Sequence, residues 1–87
     1  MSLNMQRQQI DKIDQQLLAL FAQRMDIAAE IARIKVDKGL PILDRTREQD
    51  KLQAVAKQVR PELVPYACTL YDTLFELSRR YQQAGQE

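Results

Sequence analysis

The sequence has no histidine, no tryptophan, one cysteine, two glycines and three prolines in 87 residues. Without histidine it lacks the commonest general base, every Ser-His or Cys-His nucleophile pair and the usual transition-metal ligand set. Cys68 has no partner for an intrachain disulfide, and without a Cys/His cluster a structural zinc site is excluded. A single unpaired cysteine suits a reducing compartment. Charge of one sign is also missing: 13 Lys+Arg stand against 12 Asp+Glu, a net +1, where a general nucleic-acid binder would show a clear basic excess. No apolar run approaches the roughly 18 residues of a membrane span, and Met1-Ser-Leu-Asn is not a basic segment followed by an apolar run. The expected location is the cytoplasm, with neither nucleic acid nor membrane as partner.

What is present is an ordinary soluble composition, 45% hydrophobic and 29% charged, at a length that allows one small domain. A chain this short buries only about 60% of the surface its unfolded form exposes. With neither disulfide nor metal to help, the stabilising element is a tightly packed helical core or a partner chain, expected to be another copy.

Gly39 and Pro41, then Pro61 and Pro65, then Gly85 punctuate the chain. They divide it into a long, a short and a medium helical segment, predicted as helix 3–37, loop 38–44, helix 45–58 and helix 62–83 in a single domain over 1–87. In the first segment Ile10, Ile13, Leu17, Leu20, Ile27, Ile31 and Ile34 keep a 3-4 spacing over several heptads. That helix would be roughly 50 Å long, more than the ~50 residues after it can cover, so part of its stripe should meet another chain. Gly39 suits a left-handed C-terminal position and Pro41 forbids continuation. Asp44 or Thr46 can cap the second helix, and Thr46-x-x-Gln49 resembles a capping box. The third helix carries a stripe of Ala67, Leu70, Leu74, Leu77 and Tyr81, with a frayed tail expected after Gln83.

Arg24 interrupts the first stripe between Leu20 and Ile27. An arginine in a buried seam is costly unless an anion meets it, so either a structural carboxylate pairs with it or the seam opens there on an acidic ligand. Lys35 follows 11 residues later, about 20° around the helix and roughly 16 Å along it, so the two long side chains can converge on one small molecule. Arg7 lies 17 residues before Arg24, about 25 Å away and roughly 100° around, out of reach within one chain. An antiparallel pairing of two long helices would bring the partner's Arg7 near Arg24; otherwise Arg7 is a solvated surface residue. Tyr71, Phe75, Ser78 and Gln82 share one face of the third helix, so its polar end either frays into solvent or faces a site. Asp44-Arg45-Thr46-Arg47-Glu48 places four charges at a helix start, where Asp44 and Glu48 suit the positive dipole end and the arginines can be solvated.

From Arg7 to Gln82 the chain resembles the all-helical class of chorismate mutases. The matching words are Arg7-x-x-Ile10-x-x-Ile13-Asp14-x-x-Leu17-Leu18-x-Leu20, Arg24-Met25, Ala32-x-x-Lys35, Gly39-x-Pro41-Ile42-x-Asp44-x-x-Arg47-Glu48 and Ser78-x-x-x-Gln82, in this order with these gaps. The resemblance implies an all-α fold of three helices per chain, interlaced in a homodimer whose long N-terminal helices pair antiparallel. It also implies a cofactor-free isomerase that rearranges chorismate to prephenate in aromatic amino acid biosynthesis. The rearrangement breaks a C–O bond as a C–C bond forms and transfers no proton, in keeping with a chain that lacks histidine. Fixed charges and conformational restriction then carry the catalysis. Carried over by the resemblance, Arg24 pairs with one carboxylate of the dianion, helped by Ser78, and the partner's Arg7 takes the second, with Lys35 beside it. Lys35 and Gln82 donate to the ether oxygen. Glu48 and the backbone near Asp44 hold the ring hydroxyl, and Arg47 lies in the same wall.

Two neighbours on the same fold compete with this reading: an isochorismate-pyruvate lyase and a mutase acting on 4-amino-4-deoxychorismate. Glu48 and the Gly39-to-Glu48 word favour the mutase over the lyase, whereas Glu48 suits either a hydroxyl or an amine on the ring. A rival of another class is a non-catalytic helical dimerisation module in which Arg24 merely fixes register. A helix-turn-helix DNA binder is opposed by the charge balance and by the lack of a clustered base-reading set on a short second helix.

Overall fold

Ser2 starts the first helix: its hydroxyl accepts from the Met5 N–H at 3.1 Å and satisfies one of the free donors of the first turn. From there α1 runs Leu3–Lys38 without interruption, a span in which no glycine or proline falls. Gly39 ends it in the left-handed region, φ 67°. The Gly39 N–H bonds to the Val36 carbonyl at 3.1 Å and the Leu40 N–H to the Lys35 carbonyl at 2.7 Å, the paired bonds of a Schellman close. This is a computed structural model, and it describes residues 1–85; α2 spans Arg45–Gln58 and α3 Val64–Ala84, with no strand among the described residues. Part of the tail expected to fray, Gln86 and Glu87, lies outside the described residues.

Asp44 caps α2, its carboxylate accepting from the Arg47 N–H at 3.0 Å. Thr46 sits inside the first turn, so the cap falls to the first of the two candidates. The third helix does not open as an α-helix at 62. Pro65 has no N–H to give the Pro61 carbonyl, so that carbonyl takes the Val64 N–H and the chain makes a 3₁₀ turn over Pro61–Leu63 before α3 begins at Val64.

Two bonds one helical turn apart set the register of α1 on α3: Arg24 Nη1 to Ser78 Oγ at 2.7 Å, and Gln82 Nε2 to the Ala28 carbonyl at 2.8 Å. Residue numbers rise together along both, so the two helices run parallel. Alanine at 28 and 32 lets them approach closely, and both side chains are buried there. α3 also packs against α2, and Glu48 meets Arg79 across that contact.

The result is a flat slab whose Cα trace spans 54 × 27 × 14 Å. Among the described residues its buried apolar core is four side chains, Ala28, Ala32, Val55 and Phe75. The radius of gyration, 16.0 Å, exceeds the roughly 12 Å of a compact chain of this length. The accessible surface, 7225 Å², exceeds the roughly 5,300 Å² of a folded monomer of this mass. Much of the excess is on α1: among Met1–Leu20 every residue but Gln6 is exposed, and Ile10, Ile13, Leu17 and Leu20 are each more than half exposed.

Candidate active site

The C-terminal half of α1, the loop after it, the first turns of α2 and the last turns of α3 enclose a cleft of about 500 Å³. Arg24 and Lys35 reach it from α1, Asp44 from the loop, Arg47 and Glu48 from α2, and Ser78 and Gln82 from α3. Seven of the eight residues singled out in the sequence therefore line one cavity. Arg7 does not; it is exposed on the N-terminal half of α1.

Each side chain is held by something identifiable. Arg24, half-buried, donates to Ser78 Oγ, and its guanidinium carbon lies 5.9 Å from the Tyr71 ring centroid, a cation–π distance. Tyr71 is itself fixed edge-on against Phe75, with centroids 6.1 Å apart at 66°. Lys35 gives one of its three donors to the Ile42 carbonyl at 2.8 Å, which ties the loop to α1 and leaves two for a ligand. Ser78 and Gln82 are buried, 9% and 7% exposed, so the polar end of α3 faces the interior rather than fraying into solvent. Gln82 uses one amide hydrogen on Ala28 and keeps a second. Among the described residues no buried side-chain nitrogen or oxygen is without a partner.

Glu48 is ion-paired with Arg79. Arg79 and Lys51 also line the cleft, and Lys51 Nζ lies 5.9 Å from the Tyr71 centroid. Sequence reasoning missed both. Lys51 lies one helical turn after Arg47 and Glu48, a spacing that could have found it; Arg79 stands 31 residues from Glu48, and no local pattern links them. The cleft thus carries five cations and two carboxylates in a chain of net charge +1. Arg24, Lys35, Arg47 and Lys51 make no ion pair among the described residues. Such a cavity is suited to an organic anion. A larger opening of about 660 Å³ lies beyond Gln82, lined by Ala29, Arg33, Val36, Asp37 and Tyr81. Its single cation and single anion form no convergent set. No group of acidic or thiol side chains among the described residues is arranged to hold a metal ion, and no helix is long and apolar enough to cross a membrane.

Comparison with known proteins adds a family to this geometry. Residues 6–83 match the family described as Chorismate mutase type II. The chain belongs to that family. Among similar proteins, the T-protein of Haemophilus influenzae is 40% identical over 48 residues, 55% of this chain and 13% of its own length. The chorismate mutase of Methanocaldococcus jannaschii is 38% identical over 55 residues, 60% of this chain and 56% of its own. The bifunctional chorismate mutase/prephenate dehydratase of Escherichia coli is 31% identical over 80 residues, 90% of this chain and 21% of its own. The chain therefore spans between about an eighth and a little over half of the length of these relatives. No solved structure matches it. The all-α, three-helix architecture is the family's, and the cationic cleft lies within the matched span.

Proposed function

We propose that the protein is a chorismate mutase, converting chorismate to prephenate in aromatic amino acid biosynthesis without a cofactor. The observation that carries this reading is the cleft in which Arg24, Lys35 and Gln82 converge with no ion-pair partner for either cation. Arg24 and Ser78 grip one carboxylate. Lys35 and Gln82 aim their spare N–H donors at the ether oxygen, where negative charge grows as the C–O bond breaks. Donors already fixed by Ile42 and Ala28 need no reorganisation as that charge develops, which is the condition for electrostatic stabilisation of the transition state. Glu48 accepts from the ring hydroxyl, with the Asp44 backbone and Arg47 completing the wall. A pericyclic reaction asks for no proton acceptor, and a chain without histidine offers none of that type.

The active unit is a homodimer in which the long helices pair antiparallel and the partner chain's copy of Arg7 supplies the second carboxylate contact. Support comes from the bare stripe of α1 and from a surface excess of about 1,900 Å² per chain over a compact monomer. Doubled, that area falls in the range of obligate homodimers. The location is the cytoplasm.

Purified protein incubated in turn with chorismate, isochorismate and 4-amino-4-deoxychorismate, with products followed by chromatography, tests the reaction. Prephenate from chorismate is expected, and turnover of isochorismate alone would overturn the reading. Mixing inactive Arg7→Ala and Arg24→Ala chains tests the shared site. Recovery of activity in the mixture is expected, because a mixed dimer retains one site with both arginines.

A further inference from the structure

Glu48 is the one carboxylate of the cleft wall not committed to a helix cap; Asp44 is held by the Arg47 N–H. The three cations nearest Glu48 along the wall, Arg47, Lys51 and Arg79, outnumber the two carboxylates of the cleft, Glu48 and Asp44. Arg79 pairs with it directly, the two side chains 28% and 26% exposed. Arg47 and Lys51, on either side of it along α2, line the same cavity and make no ion pair among the described residues. An unpaired carboxylate in that place would attract an ammonium group more strongly than it would accept from a neutral hydroxyl. With Arg79 on one oxygen, Glu48 keeps lone pairs for a hydroxyl donor. An ammonium at the same spot would meet three cations against two carboxylates, a net positive wall partly shielded from water, where like charges repel more strongly than in bulk solvent.

We propose that Arg79 is a positioning residue that acts through Glu48 to make the cleft select a ring bearing a neutral hydroxyl over one bearing a protonated amine. The assignment rests on the mutase reading, in which Glu48 faces the ring substituent. Selection here comes from repulsion of the competitor as much as from attraction of the substrate. Both compounds carry the same two carboxylates, so the remaining cations of the cleft do not tell them apart through those groups.

The test compares kcat/KM for chorismate and for 4-amino-4-deoxychorismate at pH 7 in the full-length chain and in Arg79→Gln, Arg79→Met and Arg79→Lys, with helicity checked by circular dichroism. The native chain is expected to prefer the hydroxyl substrate by about tenfold or more, and Arg79→Gln and Arg79→Met to narrow that ratio by about tenfold. Arg79→Lys should restore it. Arg79→Gln can still donate a hydrogen bond to Glu48, so it keeps the comparison available if Arg79→Met does not fold. A residue that only clamps α2 to α3 would lower the melting temperature and leave the substrate ratio unchanged, and an unchanged ratio in folded variants overturns the proposal. So does a native chain that prefers the amine. A native chain that turns over neither compound overturns the mutase reading itself, and the role of Arg79 with it.

Discussion

The two halves of α1 are one continuous helix with different surroundings. From Phe21 to Lys38 it packs on α3 through Ala28 and Ala32 and presents Arg24 and Lys35 to the cleft. From Leu3 to Leu20 it carries the same apolar spacing, and none of its residues is buried. The comparison teaches that the apolar period of a helix states how much surface must be covered, whereas the rest of the fold decides what covers it. In the second half α3 covers Ala28 and Ala32 beside the stripe, Ile27, Ile31 and Ile34 stay exposed, and the arginine in the stripe opens on a cavity. In the first half the proposed cover is a second chain, which would bring Arg7 to the site.

The strongest attempt to break this contrast is Arg24→Leu, which restores the apolar pattern in the second half. Loss of about a thousandfold in kcat/KM is expected, in line with removing a charged contact from a preorganised site. The melting temperature should fall modestly, because Ser78 loses its partner, whereas a pure dimerisation module should become as stable or more so. An intact rate would make Arg24 a register residue and support a dimerisation module.

The matching change in the first half is Ile10→Glu, on a side chain 57% exposed in the single chain. It should leave helicity intact while halving the mass seen by light scattering and lowering activity about a hundredfold through loss of the partner's arginine. Unchanged mass would place the dimer contact elsewhere.

Gln82→Glu sharpens the comparison within the packed half. The amide donates at every pH, whereas a carboxylate donates only when protonated, so the native rate should hold at and above neutral pH. The variant should lose activity as pH rises through the carboxyl range and recover it in acid, by about tenfold or more. A native rate that collapses between about pH 5 and 7 would contradict this account of Gln82.

The smallest effect is expected at the end of α1. A Cβ at Gly39 would meet nothing within 4 Å, so Gly39→Ala should cost only the left-handed backbone, about 1 kcal/mol. Urea denaturation would register it as a lower midpoint, with an unchanged slope.

Much of the architecture is legible in the sequence. Gly39, Pro41, Pro61 and Pro65 act through the backbone of their own neighbours, and the three-helix, strand-free fold follows from that local chemistry. The opening of α3 departs from the predicted start at 62 because Pro65 acts on a carbonyl four residues back, which replaces the first α-turn with a 3₁₀ turn. Within the cleft, Arg24 and Lys35 were legible because both lie on one helix, where spacing converts directly into angle and distance. Ser78 and Gln82 were placed on one face of α3, but whether that face met solvent or a site depended on α1. Tyr71 was seen on the same face without its role in holding two cations. Arg79 was missed, since its partner Glu48 lies on another helix.

By itself the sequence determined three helices, most of their ends, an apolar stripe longer than the chain can cover, and the exclusion of any chemistry that needs histidine. Those properties depend on interactions among near neighbours and on composition. Only the tertiary structure decided that α1 and α3 run parallel, that Ser78 and Gln82 are buried against Arg24 and Ala28, and that Glu48 is tied to Arg79. Each of these joins residues more than 30 positions apart, where spacing along the chain no longer sets a distance and packing does.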